Sequence, residues 1–136
     1  MARVTGIGGV FLKARDPKAL AKWYADHLGF TLNQYFNGIN FEWSDEVPAT
    51  TGSTVWSLFA EDTKHFGDGP QTTMLNFRVD DLDGLLEQLR AANVPIDPKR
   101  DDSDFGKFAW ITDPEGNRVE LWQPLAETAA TPPENE

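Results

Sequence analysis

Two histidines and no cysteine set narrow limits on the chemistry open to this chain. Without thiols there is no thiolate nucleophile, no disulfide and no zinc–thiolate site. His27 falls on or beside the inner stripe of a predicted helix, where a satisfied or half-exposed imidazole is the ordinary outcome. His65 lies in a Gly-rich stretch. A loop histidine is usually solvated, but one leaning over a cavity mouth serves as acid or base near neutral pH. The remaining reactive groups are carboxylates. The 22 Asp and Glu against 12 Lys and Arg give a formal charge of −10. Nucleic acids and anionic membranes select basic patches, so neither is an expected partner. No apolar run approaches the roughly 18 residues of a membrane span, and Met1-Ala2-Arg3 leads straight into a strand-like segment. The expectation is a soluble, cytoplasmic protein.

These groups must be positioned by a scaffold that repeats. Val10-Phe11-Leu12-Lys13-Ala14-Arg15-Asp16-Pro17 aligns with Leu75-Asn76-Phe77-Arg78-Val79-Asp80-Asp81-Leu82 at an offset of 65 residues. Apolar positions superpose: Val10 on Leu75, Leu12 on Phe77, Ala14 on Val79, Leu20 on Leu85. Residues 7–15 alternate as a strand, and Asp16-Pro17 supplies an N-cap and a first-turn proline. Leu20, Trp23, Tyr24, His27 and Leu28 then mark one face of a helix stopped by Gly29. Strand-like stretches follow at 30–36, 39–43 and 54–60, with Asn37-Gly38 as a tight-turn signal between the first two. Residues 61–71, with Gly67, Gly69 and Pro70, read as a linker. The second copy gives a strand at 74–80 and a helix striped by Leu82, Leu85, Leu86 and Leu89, ended by Asn93 and Pro95. A short strand near Ile96 and a hairpin of 105–112 with 118–123, turned by Asp113-Pro114-Glu115-Gly116-Asn117, complete it. Each copy is β-α-β-β-β, over about 5–61 and 72–124, within one domain of 5–124. Residues 125–136 form a tail too polar to pack.

The doubled order resembles the vicinal oxygen chelate superfamily of glyoxalase I, bleomycin-resistance proteins, extradiol dioxygenases and fosfomycin-resistance enzymes. Three segments carry the resemblance, spread over residues 7–124. The first is Phe11-Leu12-Lys13-Ala14-Arg15-Asp16 with Trp23-Tyr24 and Leu28-Gly29-Phe30. The second is Phe77-Arg78-Val79-Asp80-Asp81, and the third runs from Asp113-Pro114-Glu115-Gly116-Asn117 through Arg118-Val119-Glu120-Leu121. The resemblance implies an α+β fold of two βαβββ modules, whose curled mixed sheets enclose a cavity. Family members hold a divalent metal there through four strand positions. At three of them this chain has Gly9, Ser57 and Met74; only Glu120 matches. A hard or borderline cation needs three or four His or carboxylate ligands, so neither a metal nor another cofactor is expected.

Strand parity turns the resemblance into a lining. Gly9, Phe11 and Lys13 of the first strand should face the cavity, as should Val55, Ser57 and Phe59. Met74, Asn76 and Arg78 follow from the second copy, and Arg118, Glu120 and Trp122 from the last strand. Phe108 and Trp110 should oppose Trp122 and Glu120, in a register that a one-residue slip would invert. The expected ligand-binding set is Phe11, Ser57, Phe59, Met74, Asn76, Arg78, Phe108, Trp110, Glu120 and Trp122. Such a lining suits a small, partly aromatic organic molecule, fixed by one carboxylate. Alternatively the aromatics simply fill the interior, and Glu120 pairs with Arg118, Arg78 or Lys13. The leading functional expectation is metal-independent binding, similar in logic to the bleomycin-resistance proteins. The rival is a glyoxalase-type lyase or isomerase, or a ring-modifying enzyme, with Glu120 as base. A homodimer is expected, because an open curved sheet is costly to leave in water.

Overall fold

A computed structural model describes residues 1–45 and 52–125. Alternation and caps produce the elements β1 (Val4–Ala14), α1 (Pro17–Leu28), β2 (Gly38–Glu42) and β3 (Ser53–Ala60) in the first half. The second half gives β4 (Thr73–Val79), α2 (Leu82–Ala91), β5 (Ile96–Ser103), β6 (Gly106–Thr112) and β7 (Arg118–Gln123). Asp16 and Asp81 cap the two helices, accepting from the N–H groups of Ala19 and Gly84 at 3.0 and 3.1 Å. Gly29 ends α1 in the left-handed conformation, and Asn93 takes the same conformation just past α2. No described helix is long and apolar enough to cross a membrane.

The seven strands form one mixed sheet in the order β2-β3-β1-β4-β7-β6-β5. The halves meet edge to edge through antiparallel β1 and β4, while β1 with β3 and β4 with β7 run parallel. The two modules therefore pair within one chain. Leu82, Leu85 and Leu86 of α2 bury against Val79, Ala109 and Leu121. The thinner contact of α1 uses Ala21 against Ala14 and Leu58. The expected α1 stripe differs here: Trp23 and Leu28 are 50% and 58% exposed, and His27 is exposed beside Trp23.

The expected strand at 30–36 does not form. Phe30 packs on Tyr24, Trp56 and Phe41 instead. The Asn33 side chain accepts from Tyr35 N–H at 2.7 Å, and Gly38 N–H donates to Phe36 C=O. Local bonds of this kind compete with a ladder and turn the segment. The first half thus shows three strands among the described residues, and the second half four. The expected polar tail lies outside the described residues apart from Leu125.

Candidate functional site

Register alone aligns the polar centre. Asn76 on β4 pairs with Glu120 on β7, and Glu120 pairs with Trp110 on β6. Directly opposed residues present adjacent side chains on one face. Glu120 is 1% exposed, and N–H donors converge on its carboxylate. Asn76 Nδ2 donates to Oε1 at 2.6 Å, and Trp110 Nε1 donates to Oε2 at 2.9 Å. His65 Nε2 lies 2.8 Å from Oε2.

His65 reaches this position because the connection between the halves is pinned. Arg118 Nε donates to His65 C=O at 3.1 Å, and Arg118 Nη1 contacts Asp97 Oδ2 at 2.7 Å. Gln71 accepts from Arg118 N–H and donates to Arg118 C=O. Phe66, 1% exposed, anchors the stretch among Phe11, Met74 and Trp110. The Lys99 N–H and the Arg118 guanidinium hold the Asp97 carboxyl below its usual range. The imidazole of His65 stacks on Phe59 at 4.9 Å and meets Trp110 edge-on. What sequence patterning suggests is a plain linker is therefore part of the site wall.

Above Glu120 lies a cavity of about 340 Å³, within the ~300–1,000 Å³ range of ligand pockets. Side chains of outer strands β2 and β5, Asn40 and Asp101, line it together with residues of the central strands. The sheet must curl to bring them together. Eight residues of the expected set line it: Phe11, Ser57, Phe59, Asn76, Phe108, Trp110, Glu120 and Trp122. Phe108 opposes Trp122 and Trp110 opposes Glu120, the register expected from the alternation. Val55 also lines the cavity, but Lys13 and Arg118 do not. Nor do Met74 and Arg78. Met74 is sealed among Phe11, Phe66 and Trp110, and the Arg78 guanidinium lies over the rings of Trp43 and Trp122. The aromatics leave space rather than filling the interior. Glu120 takes His65 as its neighbour, whereas Arg118 pairs with Asp97 and Lys13 lies over Phe66.

Patterning missed Gly8, Tyr35, Phe36, Asn40, Asp101, Ser103 and Phe105, all of which line the cavity, and left His65 open between a solvated loop and the cavity mouth, where it lies. Gly8 is the extra residue of a β-bulge: Ile7 pairs with Phe77, and Gly9 with Asn76. A Cβ on Gly8 would overlap Asn76 Oδ1 and come within 2.9 Å of Trp122 Cε3. A Cβ on Gly9 would sit 2.7 Å from Phe11 Cε1. Both positions thus abut residues of the cavity wall, but only Gly8 itself lines the cavity; Gly9, expected there, does not. For the packing of the linker, the available signal is Phe66, a lone large apolar residue in a polar, Gly-rich run.

The four family metal positions do not fit a cation. Phe11 takes the space at Gly9, Ser57 offers only a neutral hydroxyl, Met74 is buried in an apolar cluster, and Glu120 faces N–H donors. Trp110 Nε1 only donates, so it presents the wrong polarity to a metal sharing that oxygen. Among the described residues no three His, Cys, Asp or Glu side chains are grouped to hold an ion.

A family profile described as Glyoxalase/Bleomycin resistance protein/Dioxygenase superfamily matches residues 6–121. Among solved structures, methylmalonyl-CoA epimerase from Mycobacterium tuberculosis is similar at 23% identity and TM-score 0.61, covering 94% of this chain and 93% of that one. A variant Streptomyces coelicolor methylmalonyl-CoA epimerase in complex with 2-nitronate-propionyl-CoA is 14% identical, with TM-score 0.69 and coverage of 91% and 97%. A glyoxalase/bleomycin resistance protein/dioxygenase superfamily member from Vibrio splendidus 12B01 is 17% identical, with TM-score 0.54 and coverage of 90% and 99%. Identities this low speak for the shared fold alone. No curated protein matches the chain significantly.

Proposed function

Because the chain belongs to the glyoxalase/bleomycin-resistance/dioxygenase superfamily, we propose that it binds a small, partly aromatic organic molecule without a metal. One observation carries this: an aromatic-walled cavity of about 340 Å³ with a buried, hydrogen-bonded carboxylate at its floor. Phe108 and Trp122 stack 6.0 Å apart and nearly parallel, and Phe11 and Phe59 form a tilted pair at 5.3 Å. Flat rings held in place offer a planar ligand large contact area at low entropic cost. Glu120 fixes its orientation.

The test is tryptophan fluorescence with a panel of bicyclic aromatics. A saturable change is expected in the wild type and should be greatly reduced in Trp122→Ala. An unchanged response in that variant would refute the site. Metal independence predicts no zinc, nickel, manganese or iron at one equivalent after dialysis, by elemental analysis.

The contact of His65 with Glu120 favours a second reading, proton transfer with Glu120 as base. A carboxylate whose proton can pass to an imidazole at the mouth has a route to solvent. Deuterium incorporation into a bound carbonyl compound in heavy water, abolished in Glu120→Gln, would support it.

A further inference from the structure

Building on that ligand-binding reading, we infer that the cavity selects planar aromatic ligands bearing a cationic N–H donor group over neutral or anionic ligands of the same shape. The donors at the floor are already engaged: Asn76 Nδ2 with Oε1 of Glu120, Trp110 Nε1 with Oε2. His65 Nε2 also sits against Oε2. The lining hydroxyls of Tyr35, Ser57 and Ser103 and the amide of Asn40 can donate as well as accept, but none of them carries a positive charge. Asn76 is 2% exposed, and among the described residues its Oδ1 has no hydrogen-bond partner and packs against Gly8 instead. Glu120 Oε1 accepts one hydrogen bond and has a second lone pair.

At the rim, Asp101 adds a second carboxylate, in register with Phe108. Among the described residues the lining contains no Lys or Arg. Nearby cations are occupied: Arg118 pairs with Asp97, and Lys99 and Arg118 lie over Trp110 at 5.0 and 5.3 Å. Those contacts also show that the wall rings carry the charge distribution that attracts cations. An amidinium is a matching group, since it carries N–H donors and a positive charge to Glu120 while its ring stacks on the wall. An anionic ligand would meet Glu120 with no Lys or Arg among the described lining residues to offset it.

Isothermal titration calorimetry with 2-naphthamidine, 2-naphthamide and 2-naphthoate tests this, the three differing mainly in charge. Naphthamidine should bind about tenfold more tightly than the amide, and the naphthoate should be weakest. Glu120→Gln should remove most of the preference. Asp101→Asn, on the exposed rim, should reduce it by about threefold and decides the matter alone if the buried variant does not fold. Naphthoate or naphthamide binding as tightly as naphthamidine would overturn the inferred selectivity and leave the ligand-binding reading intact. A preference unchanged in every folded variant would overturn it too. If none of the three binds at millimolar concentration, both fail.

Discussion

Replacing Glu120 separates a satisfied polar network from a tolerated defect. In Glu120→Leu, Asn76 Nδ2 and Trp110 Nε1 lose their acceptor, and both residues are at most 2% exposed. An unpaired buried donor costs about 1–3 kcal/mol, so the two together cost about 2–6 kcal/mol. His65 adds little, because its side chain is 29% exposed and can turn to water. Removing the buried carboxylate returns part of its desolvation cost, which leaves a net loss of about 2–4 kcal/mol. Glu120→Gln should behave differently. Its oxygen can still receive Trp110 and His65 while its amide donates to a reversed Asn76. Only charge assistance is lost, at about 1–2 kcal/mol. Urea unfolding followed by tryptophan fluorescence should rank wild type above Gln and Gln above Leu. In thermal scans the Leu variant should melt roughly 6–12 °C lower. A Leu variant as stable as wild type, or a Gln variant worse than Leu, would refute the account of the network.

Three further outcomes follow from other parts of the molecule. Gly8→Ala forces a Cβ into the Asn76 amide and toward Trp122, so overpacking should cost about 1–3 kcal/mol in urea titrations; an unchanged midpoint would mean the bulge yields freely. The folded state holds the Asp97 carboxyl below its unfolded value, through the Lys99 N–H and Arg118. Its stabilisation is therefore complete above the unfolded pKa of about 3.9 and fades as pH falls through the lower folded value. Asp97→Asn should flatten that acid limb of the stability curve, and an identical pH dependence would refute the assignment. Leu20, Trp23 and Leu28 leave an apolar face on α1, and among the described residues β2 and β5 are the outermost strands of the sheet. We expect a homodimer by light scattering, shifted to one chain by Trp23→Glu; a single-chain mass for wild type at every concentration would end this expectation.

The parts of the site readable in the sequence are those set by period-two alternation. Asn76, Trp110, Glu120 and Trp122 share a face because each lies an even number of residues from its same-facing strand neighbours, and the Asp113–Asn117 turn fixes the hairpin register. Asp16 and Asp81 are legible for a similar reason, since capping depends on neighbours three residues away. The parts that stayed hidden depend on distant partners. Phe30 gives up a strand for Trp56, and His65 is placed by Arg118, 53 residues further along the chain. No local pattern encodes such contacts.

Gly9 joins the two kinds of information. As a residue type it signals only a missing ligand at a family metal position. In three dimensions its missing Cβ is the space into which the Phe11 ring folds, while Gly8 beside it admits the Asn76 amide. A histidine at position 9 would displace Phe11 from the wall as it introduced a donor. The absence of a ligand there and the presence of an aromatic wall are thus one steric fact, which is why the ligand-binding proposal and the metal-independent proposal stand on the same residues.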